Sequence, residues 1–156
     1  MIAVVRLSRP LQKIDIEPYL PALKRFFARR QDILAVYLYG SYGAPAQTPL
    51  SDVDLGVLLA PQADNKLDTY LEIQAAVCDI TGQDDVNILI LNRLPVIMQF
   101  HIVSSGNLIY ERNEEATSDF LERVFKLYGD FITDYRAFCA EYDTALREAY
   151  LDGKQR

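Results

Sequence analysis

The chain has 156 residues, of which 50% are hydrophobic and 24% are charged. This size suits one domain with a substantial core and leaves no room for a second, so we expect a single domain over residues 1–156. No apolar run approaches the roughly 20 residues of a membrane span. The formal net charge of −6 argues against binding to a nucleic acid backbone, because such proteins ordinarily present a basic surface.

The first residues and the two cysteines predict the compartment. Met1 is followed by four apolar residues and then by Arg6, whereas a secretory signal places its charge first and a longer apolar stretch after it. Cys78 and Cys139 lie far apart in apolar helical patterns, which favours buried thiols over a disulfide or a metal pair. We therefore expect a cytoplasmic protein.

Strands and helices alternate in the first two thirds of the chain. Apolar residues at spacings of three and four predict helices, and β-branched or aromatic runs bounded by Gly or Pro predict strands. Helices are predicted at 17–31, 65–81 and 95–106, and strands at 33–40, 53–60, 85–92 and 107–111. Strands separated by helices favour a small sheet with helices on it, in the α/β (α+β) class.

The predicted helix 17–31 carries a cluster of basic residues. Its members are Lys24, Arg25, Arg29 and Arg30. They form either a solvated helix face or a patch for nucleotide phosphates or an acidic partner. The single histidine, His101, lies in the middle of another predicted helix, where a structural role is favoured over a catalytic one.

The last third of the chain predicts one long helix. It runs from Ser118, a suitable N-cap, to Tyr150, without proline and with one glycine, Gly129, at which it could break. Large apolar residues recur every three or four positions, at Val124, Tyr128, Phe131, Tyr135, Phe138, Tyr142 and Leu146. Such a stripe either packs against the α/β body or is a surface for a partner protein. The core would cover about 17–112, and a helical extension about 117–150.

The segment 39–59, YGSYGAPAQTPLSDVDLGVLL, combines a sharp turn with two carboxylates. Gly40 ends a strand where a residue without a Cβ lets a ligand approach the backbone, and the hydroxyl of Ser41 could hold a phosphate. Asp52 and Asp54 would project to one face of the next strand, because side chains alternate with a period of two. Two carboxylates at such a short distance repel each other, and a Mg²⁺ ion bound between them removes the energetic cost of this repulsion.

Two aspartates in one strand are common by themselves. In that case Ser51-Asp52 would cap a helix or turn, and Asp54 would be a charge on an edge strand. Their combination with Gly40-Ser41 and ten intervening residues is much more specific, and it is similar to the GS-x10-DxD signature of polymerase-β-like nucleotidyltransferases. The short length and the order of elements resemble the minimal nucleotidyltransferases, the MNT antitoxins encoded beside HEPN-domain toxins. The resemblance covers about residues 17–112 and includes ILILNRLPVIMQFHIVSSGNLIYE.

The resemblance implies a mixed sheet with helices that binds ATP and Mg²⁺ against the turn. Gly40, Ser41 and Tyr42 would contact the nucleotide, while Asp52 and Asp54 would hold the metal and act in catalysis. The activity would be transfer of AMP from ATP to a tyrosine hydroxyl of a HEPN ribonuclease toxin, the expected partner. Enzymes of this kind that act on small molecules usually carry an additional substrate-binding domain, for which this chain is too short.

One position departs from the family pattern. Asn87 replaces the third carboxylate expected on the strand 85–92, and its neutral amide is a weaker metal ligand and no base. Asp85 lies on the same predicted face, about 7 Å along the strand, and is the candidate to replace it in catalysis. The alternative function is a catalytically degenerate antitoxin that neutralises the toxin by binding alone, through the aromatic helix.

Overall fold

The computed structural model describes residues 15–40, 53–63 and 67–152. Its α-helices are α1 (Leu20–Arg29), α2 (Leu67–Thr81), α3 (Val96–Ser105) and α4 (Glu114–Asp152). Its strands are β1 (Ile33–Tyr39), β2 (Val53–Leu59), β3 (Val86–Ile90) and β4 (Asn107–Glu111). Short 3₁₀ turns lie at Glu17–Tyr19, Pro61–Ala63 and Leu91–Arg93. Each predicted helix and strand is present, with ends that differ by a few residues.

The strands form one mixed sheet in the order β3-β2-β1-β4. β1 runs antiparallel to both β2 and β4, whereas β2 and β3 are parallel. A parallel pair needs a crossover connection, which α2 supplies between β2 and β3. The prediction of a small mixed sheet with helices and a long C-terminal helix is confirmed.

Helices cover both faces of the sheet, so the core has two layers. The layer under α1 and α2 contains Leu23, Phe27, Val36, Leu55, Val57, Ile73 and Val77. The layer under α3 and the first turns of α4 contains Ala35, Tyr37, Leu58, Leu91, Ile102, Phe120 and Val124. Because side chains alternate along a strand, the even-numbered residues of β2 face α3 and α4.

Arg112, directly after β4, ties the C-terminal end of α1 to the sheet. Its Nη2 donates to the carbonyl oxygens of Ala28 and Arg30, at 2.7 and 2.9 Å, and its Nε donates to that of Ile33 at 3.3 Å. The last carbonyls of a helix have no partner within the helix and carry partial negative charge. The guanidinium therefore stabilises the end of α1.

The start of α4 differs from the prediction. The helix begins at Glu114 rather than at Ser118, because Asn113 caps it. The Oδ1 of Asn113 accepts a hydrogen bond from the backbone N–H of Ala116 at 3.0 Å, as the side chain of an N-cap does. The helical extension is therefore several residues longer at its N-terminal end than the sequence indicates.

The helix also continues without a break through Gly129, so the predicted long helix is present and the possible break does not occur. One glycine costs about 1 kcal/mol in a helix interior. Packing of the preceding residue offsets this cost: the ring of Tyr128 stacks on Phe100 of α3, with centroids 3.6 Å apart. The extension is thus one continuous helix from the body outward.

Two predictions from composition can be compared with the structure. Cys78 and Cys139 are both free thiols, and their side chains are partly buried rather than fully buried. None of the helices in the part of the chain that the structure describes has both the length and the apolar character needed to cross a membrane.

Candidate active site

Three side chains from adjacent strands lie next to one another at one end of the sheet. Tyr39, the last residue of β1, is the register partner of Asp54 in β2, and Asp54 is in turn the partner of Asn87 in β3. Asp54 faces α3, because Gly56, two residues later, lies so close to Ile102 that a Cβ there would be 2.9 Å from its Cγ2. The site is therefore on the sheet face covered by α3 and α4.

The carboxylate of Asp54 is held from two sides. Its Oδ1 accepts a hydrogen bond from the Nδ2 of Asn87 at 3.1 Å. Its Oδ2 lies against the backbone of Gly40, where an ideal Cβ would be only 2.7 Å away. Gly40 also has a φ of +89°, which other residues adopt at a cost. Both the backbone conformation and the close contact thus require glycine at position 40.

The structure places Asn87 beside Asp54. Asp85 precedes β3, and its carbonyl oxygen accepts a hydrogen bond from the backbone N–H of Val53 at 3.1 Å. The backbone of Asp85 is therefore adjacent to Val53, and Val53 directly follows Asp52 in the sequence. Among the other predicted site residues, Gly40 and Asp54 are brought together, whereas Asp52, Ser41 and Tyr42 lie outside the described residues.

Tyr39 is a site residue that the sequence analysis missed. Burial, together with the charge of Asp54, raises the pKa of Tyr39 to about 12. Gly106, after α3, packs tightly on it, since a Cβ at Gly106 would lie 3.2 Å from the Tyr39 Cβ. The position of Tyr39 directly before Gly40 was the available signal, but only the strand register shows its proximity to Asp54.

The side chains around Asp54 bear on whether Mg²⁺ fits. Mg²⁺ prefers hard oxygen ligands such as this carboxylate, and Gly40 leaves open the space beside Oδ2 that a Cβ would fill. Within residues 15–40, 53–63 and 67–152, no group of three His, Cys, Asp or Glu side chains could enclose a metal. A metal here would therefore depend on Asp52 as well, and on the phosphate oxygens of a nucleotide.

The basic cluster of α1 is not at this site. α1 packs on the opposite face of the sheet, where Leu23 and Phe27 are buried. Arg30 forms ion pairs with Asp32 and Glu72, at 2.6 and 2.8 Å. These contacts favour the interpretation of a solvated helix face over that of a phosphate patch for the Asp54 site.

The sequence match and the fold define the class of protein. Residues 22–115 match the family described as Polymerase beta, Nucleotidyltransferase. The match spans more than half of the chain and includes Gly40, Asp54 and Asn87. The chain therefore belongs to the polymerase-β nucleotidyltransferase family. No curated protein sequence matches it.

Structural neighbours of the chain are MntA (minimal nucleotidyltransferase) antitoxins in complexes with toxins. A toxin–antitoxin crystal structure with AMP-PNP has 21% identity and a TM-score of 0.63, covering 80% of this chain and 96% of that chain. The complex of the tri-AMPylated Shewanella oneidensis HEPN toxin with its MNT antitoxin has 20% identity and a TM-score of 0.59, covering 80% and 93%. The MntA–HepT toxin–antitoxin has 16% identity and a TM-score of 0.61, covering 80% and 97%. These likenesses establish the fold.

Proposed function

We propose that this protein is a Mg²⁺-dependent nucleotidyltransferase antitoxin that acts in the cytoplasm. It transfers AMP from ATP to a tyrosine hydroxyl of a cognate HEPN ribonuclease toxin and thereby neutralises the toxin. The observation that carries the proposal is the Asp54 carboxylate, fixed between Gly40 and Asn87 within the family domain. The neighbours contribute further support, since one contains AMP-PNP and another a tri-AMPylated HEPN toxin.

The chain's own residues would position the nucleotide and its acceptor. The absence of a Cβ at Gly40 lets the triphosphate approach the backbone beside Asp54, and Ser41 and Tyr42 would complete this contact. Mg²⁺ held by Asp52 and Asp54 would offset the negative charge of the phosphates. The hydrogen bond from Asn87 keeps the Asp54 carboxylate in one orientation, so the metal ligand is preorganised.

The transfer replaces one bond at the α-phosphorus by another. The tyrosine oxygen forms a bond to that phosphorus, the bond to the β-phosphate oxygen breaks, and pyrophosphate leaves. The tyrosine proton must go to a base, and the amide of Asn87 cannot accept it. Asp85, whose backbone is bonded to Val53 at the start of β2, is the carboxylate we assign to this step, through an intervening water molecule.

Intact-mass spectrometry tests the transfer directly. The protein encoded in the neighbouring reading frame is incubated with this protein, ATP and Mg²⁺, and we expect it to gain whole AMP units. Asp54→Asn should abolish the gain, whereas Asp79→Asn, an exposed acid on α2, is the matched control and should retain it. Full transfer by Asp54→Asn would refute the assignment of the site.

A second candidate function is neutralisation by binding alone, and Asn87 is the observation that favours it. An amide beside Asp54 lowers the number of carboxylates available to a metal. Asn87→Asp distinguishes the two functions, because it supplies the missing carboxylate without changing the size of the side chain. Under the first function the wild type transfers AMP and Asn87→Asp transfers it faster. Under the second, neither Asp54→Asn nor Asn87→Asp alters toxin neutralisation, and the wild type adds no AMP.

A further inference from the structure

One face of α4 begins as a packing surface and continues as an exposed one. Thr117, Leu121, Val124 and Tyr128 follow one another at spacings of four, three and four residues. Thr117 and Val124 pack against the body of the protein and are only 2% and 0% exposed. The same spacing continues at Phe131, Tyr135, Phe138 and Tyr142, where nothing among the described residues covers it. The interpretation that the aromatic stripe packs against the body therefore applies to the first half of the helix, and the second half is exposed.

The exposed half is large and apolar. Phe131 and Tyr135 are 39% and 43% exposed, Phe138 and Tyr142 are 63% and 56% exposed, and Leu146 is 51% exposed. We call these five residues the exposed seam. With side chains of roughly 200 Å² each, they present on the order of 500 Å² of apolar surface along one helix. The largest apolar patch of a typical monomer is about this size and is often functional.

The spacing of the exposed seam is that of a coiled coil. Phe131, Tyr135, Phe138 and Tyr142 alternate between three and four residues, as the a and d positions of a heptad do. The positions beside them determine what kind of helix can pair with the seam, because side chains flanking the a and d residues face the partner.

The two edges of the exposed seam differ in charge. One edge carries Asp134, Glu141 and Glu148, spaced seven residues apart and all exposed. The other edge is apolar: Ile132 and Cys139 lie at the corresponding positions, and Leu146 of the seam continues the same row. The seam thus has one continuous acidic row and no basic row to balance it.

This charge pattern disfavours pairing of two copies of the chain. In an antiparallel pair the acidic row of one helix faces the acidic row of the other, and like charges so placed repel. In a parallel pair, Glu141 and its equivalents face the apolar edge of the other copy and lose hydration without gaining a partner. The net charge of −6 adds to the repulsion in either case.

We propose that the exposed seam of α4 docks an amphipathic helix of a partner protein that has an apolar stripe bordered by lysine or arginine. The apolar stripe covers the aromatic rings of the seam, and the basic border pairs with Asp134, Glu141 and Glu148. This docking needs no nucleotide and no contact with Asp54. If the seam binds no helix, the proposed transfer of AMP is not refuted. If the protein transfers no AMP, the proposed docking is not refuted.

Two synthetic helices test the proposal by fluorescence anisotropy on the full-length protein. Both have about 21 residues with leucine at the a and d positions, and they carry either lysine or glutamate at the flanking positions. We expect the lysine peptide to bind at least tenfold more tightly than the glutamate peptide at roughly 20 mM salt, and the preference to narrow at roughly 300 mM. Phe138→Ser combined with Tyr142→Ser should remove binding of both peptides.

Charge reversal with a matched control separates the seam from general attraction to an acidic protein. Reversing the acidic row (Asp134→Lys, Glu141→Lys, Glu148→Lys) should invert the preference between the peptides. Reversing three exposed acids on the opposite side of α4 (Glu115→Lys, Asp119→Lys, Glu122→Lys) changes the net charge equally and should leave the preference in place. An equal effect of both triple variants would overturn the proposal. So would a wild-type dimer at micromolar concentration that Phe138→Ser dissociates, since the occupant would then be a second copy.

Discussion

Replacing Gly40 by alanine tests the link between backbone conformation and the candidate site. The new Cβ would lie 2.7 Å from the Asp54 Oδ2, well inside ordinary van der Waals contact, so the carboxylate must turn away. Gly82→Ala is the matched control, because Gly82 also has a positive φ, of +64°, but a Cβ there would meet nothing within 4 Å. Both variants place an alanine at a positive φ, and only Gly40→Ala adds the collision.

The expected magnitudes follow from these contacts. Alanine at positive φ costs about 1 to 2 kcal/mol in either variant. Gly40→Ala loses in addition the hydrogen bond between Asn87 and Asp54, worth about 1 kcal/mol. Urea unfolding should therefore show Gly40→Ala about 1 kcal/mol less stable than Gly82→Ala. Transfer of AMP should fall at least tenfold in Gly40→Ala alone, because the carboxylate is no longer positioned. Equal loss of stability and unchanged transfer in both variants would refute this reasoning.

Three further variants test stability and ionisation. Arg112→Met should lower the free energy of unfolding by about 2 kcal/mol, because three hydrogen bonds to backbone carbonyls are lost, whereas Arg136→Met on exposed α4 should change it little. The hydrogen bond from Arg30 lowers the pKa of Asp32 below 3.8. Asp32→Asn should therefore lower the free energy of unfolding by at most about 1 kcal/mol at neutral pH. This difference between wild type and variant should disappear as the pH falls below 3.8 and the carboxylate is protonated. Burial raises the pKa of Tyr39 from 10.0 to about 12. The buried neutral hydroxyl therefore contributes to the free energy of unfolding below pH 10, and this contribution is lost between pH 10 and 12, where the tyrosine of the unfolded chain ionises first. Titration of the tyrosine Cζ signals by NMR should show a resonance with a midpoint near pH 12 that is absent in Tyr39→Phe; a spectrum without it would contradict the assigned burial.

Asn87 shows what a sequence motif can predict about a site and what it cannot. The period of two and the family pattern predict that Asn87 occupies the position of a third carboxylate. They do not show that its amide donates to Asp54, because this depends on how two strands 33 residues apart are aligned. The parallel register of β2 and β3 brings the two side chains together. The hydrogen bond gives Asn87 a defined structural role in orienting Asp54, besides the loss of an acidic group.

The sequence by itself determined the elements whose signals are local. Periodicity and breaker residues predicted all four strands of the described sheet and the helix from Pro95 to Gly106, because hydrophobic spacing and the chemistry of Gly and Pro act over a few residues. The turn at Gly40 and the D-x-D pair pointed to the nucleotidyltransferase family for the same reason. Domain extent and the roles of Asp52, Ser41 and Tyr42 remain predictions.

Only the tertiary structure decided which of these local features meet. The proximity of Tyr39 to Asp54 follows from strand pairing, which the sequence pattern leaves open because many registers satisfy the same alternation. The division of α4 likewise has no sequence signal, since its apolar spacing is the same on both sides of Gly129. The body of the protein ends there, so the first turns of the helix are buried and the exposed seam is left without a cover among the described residues.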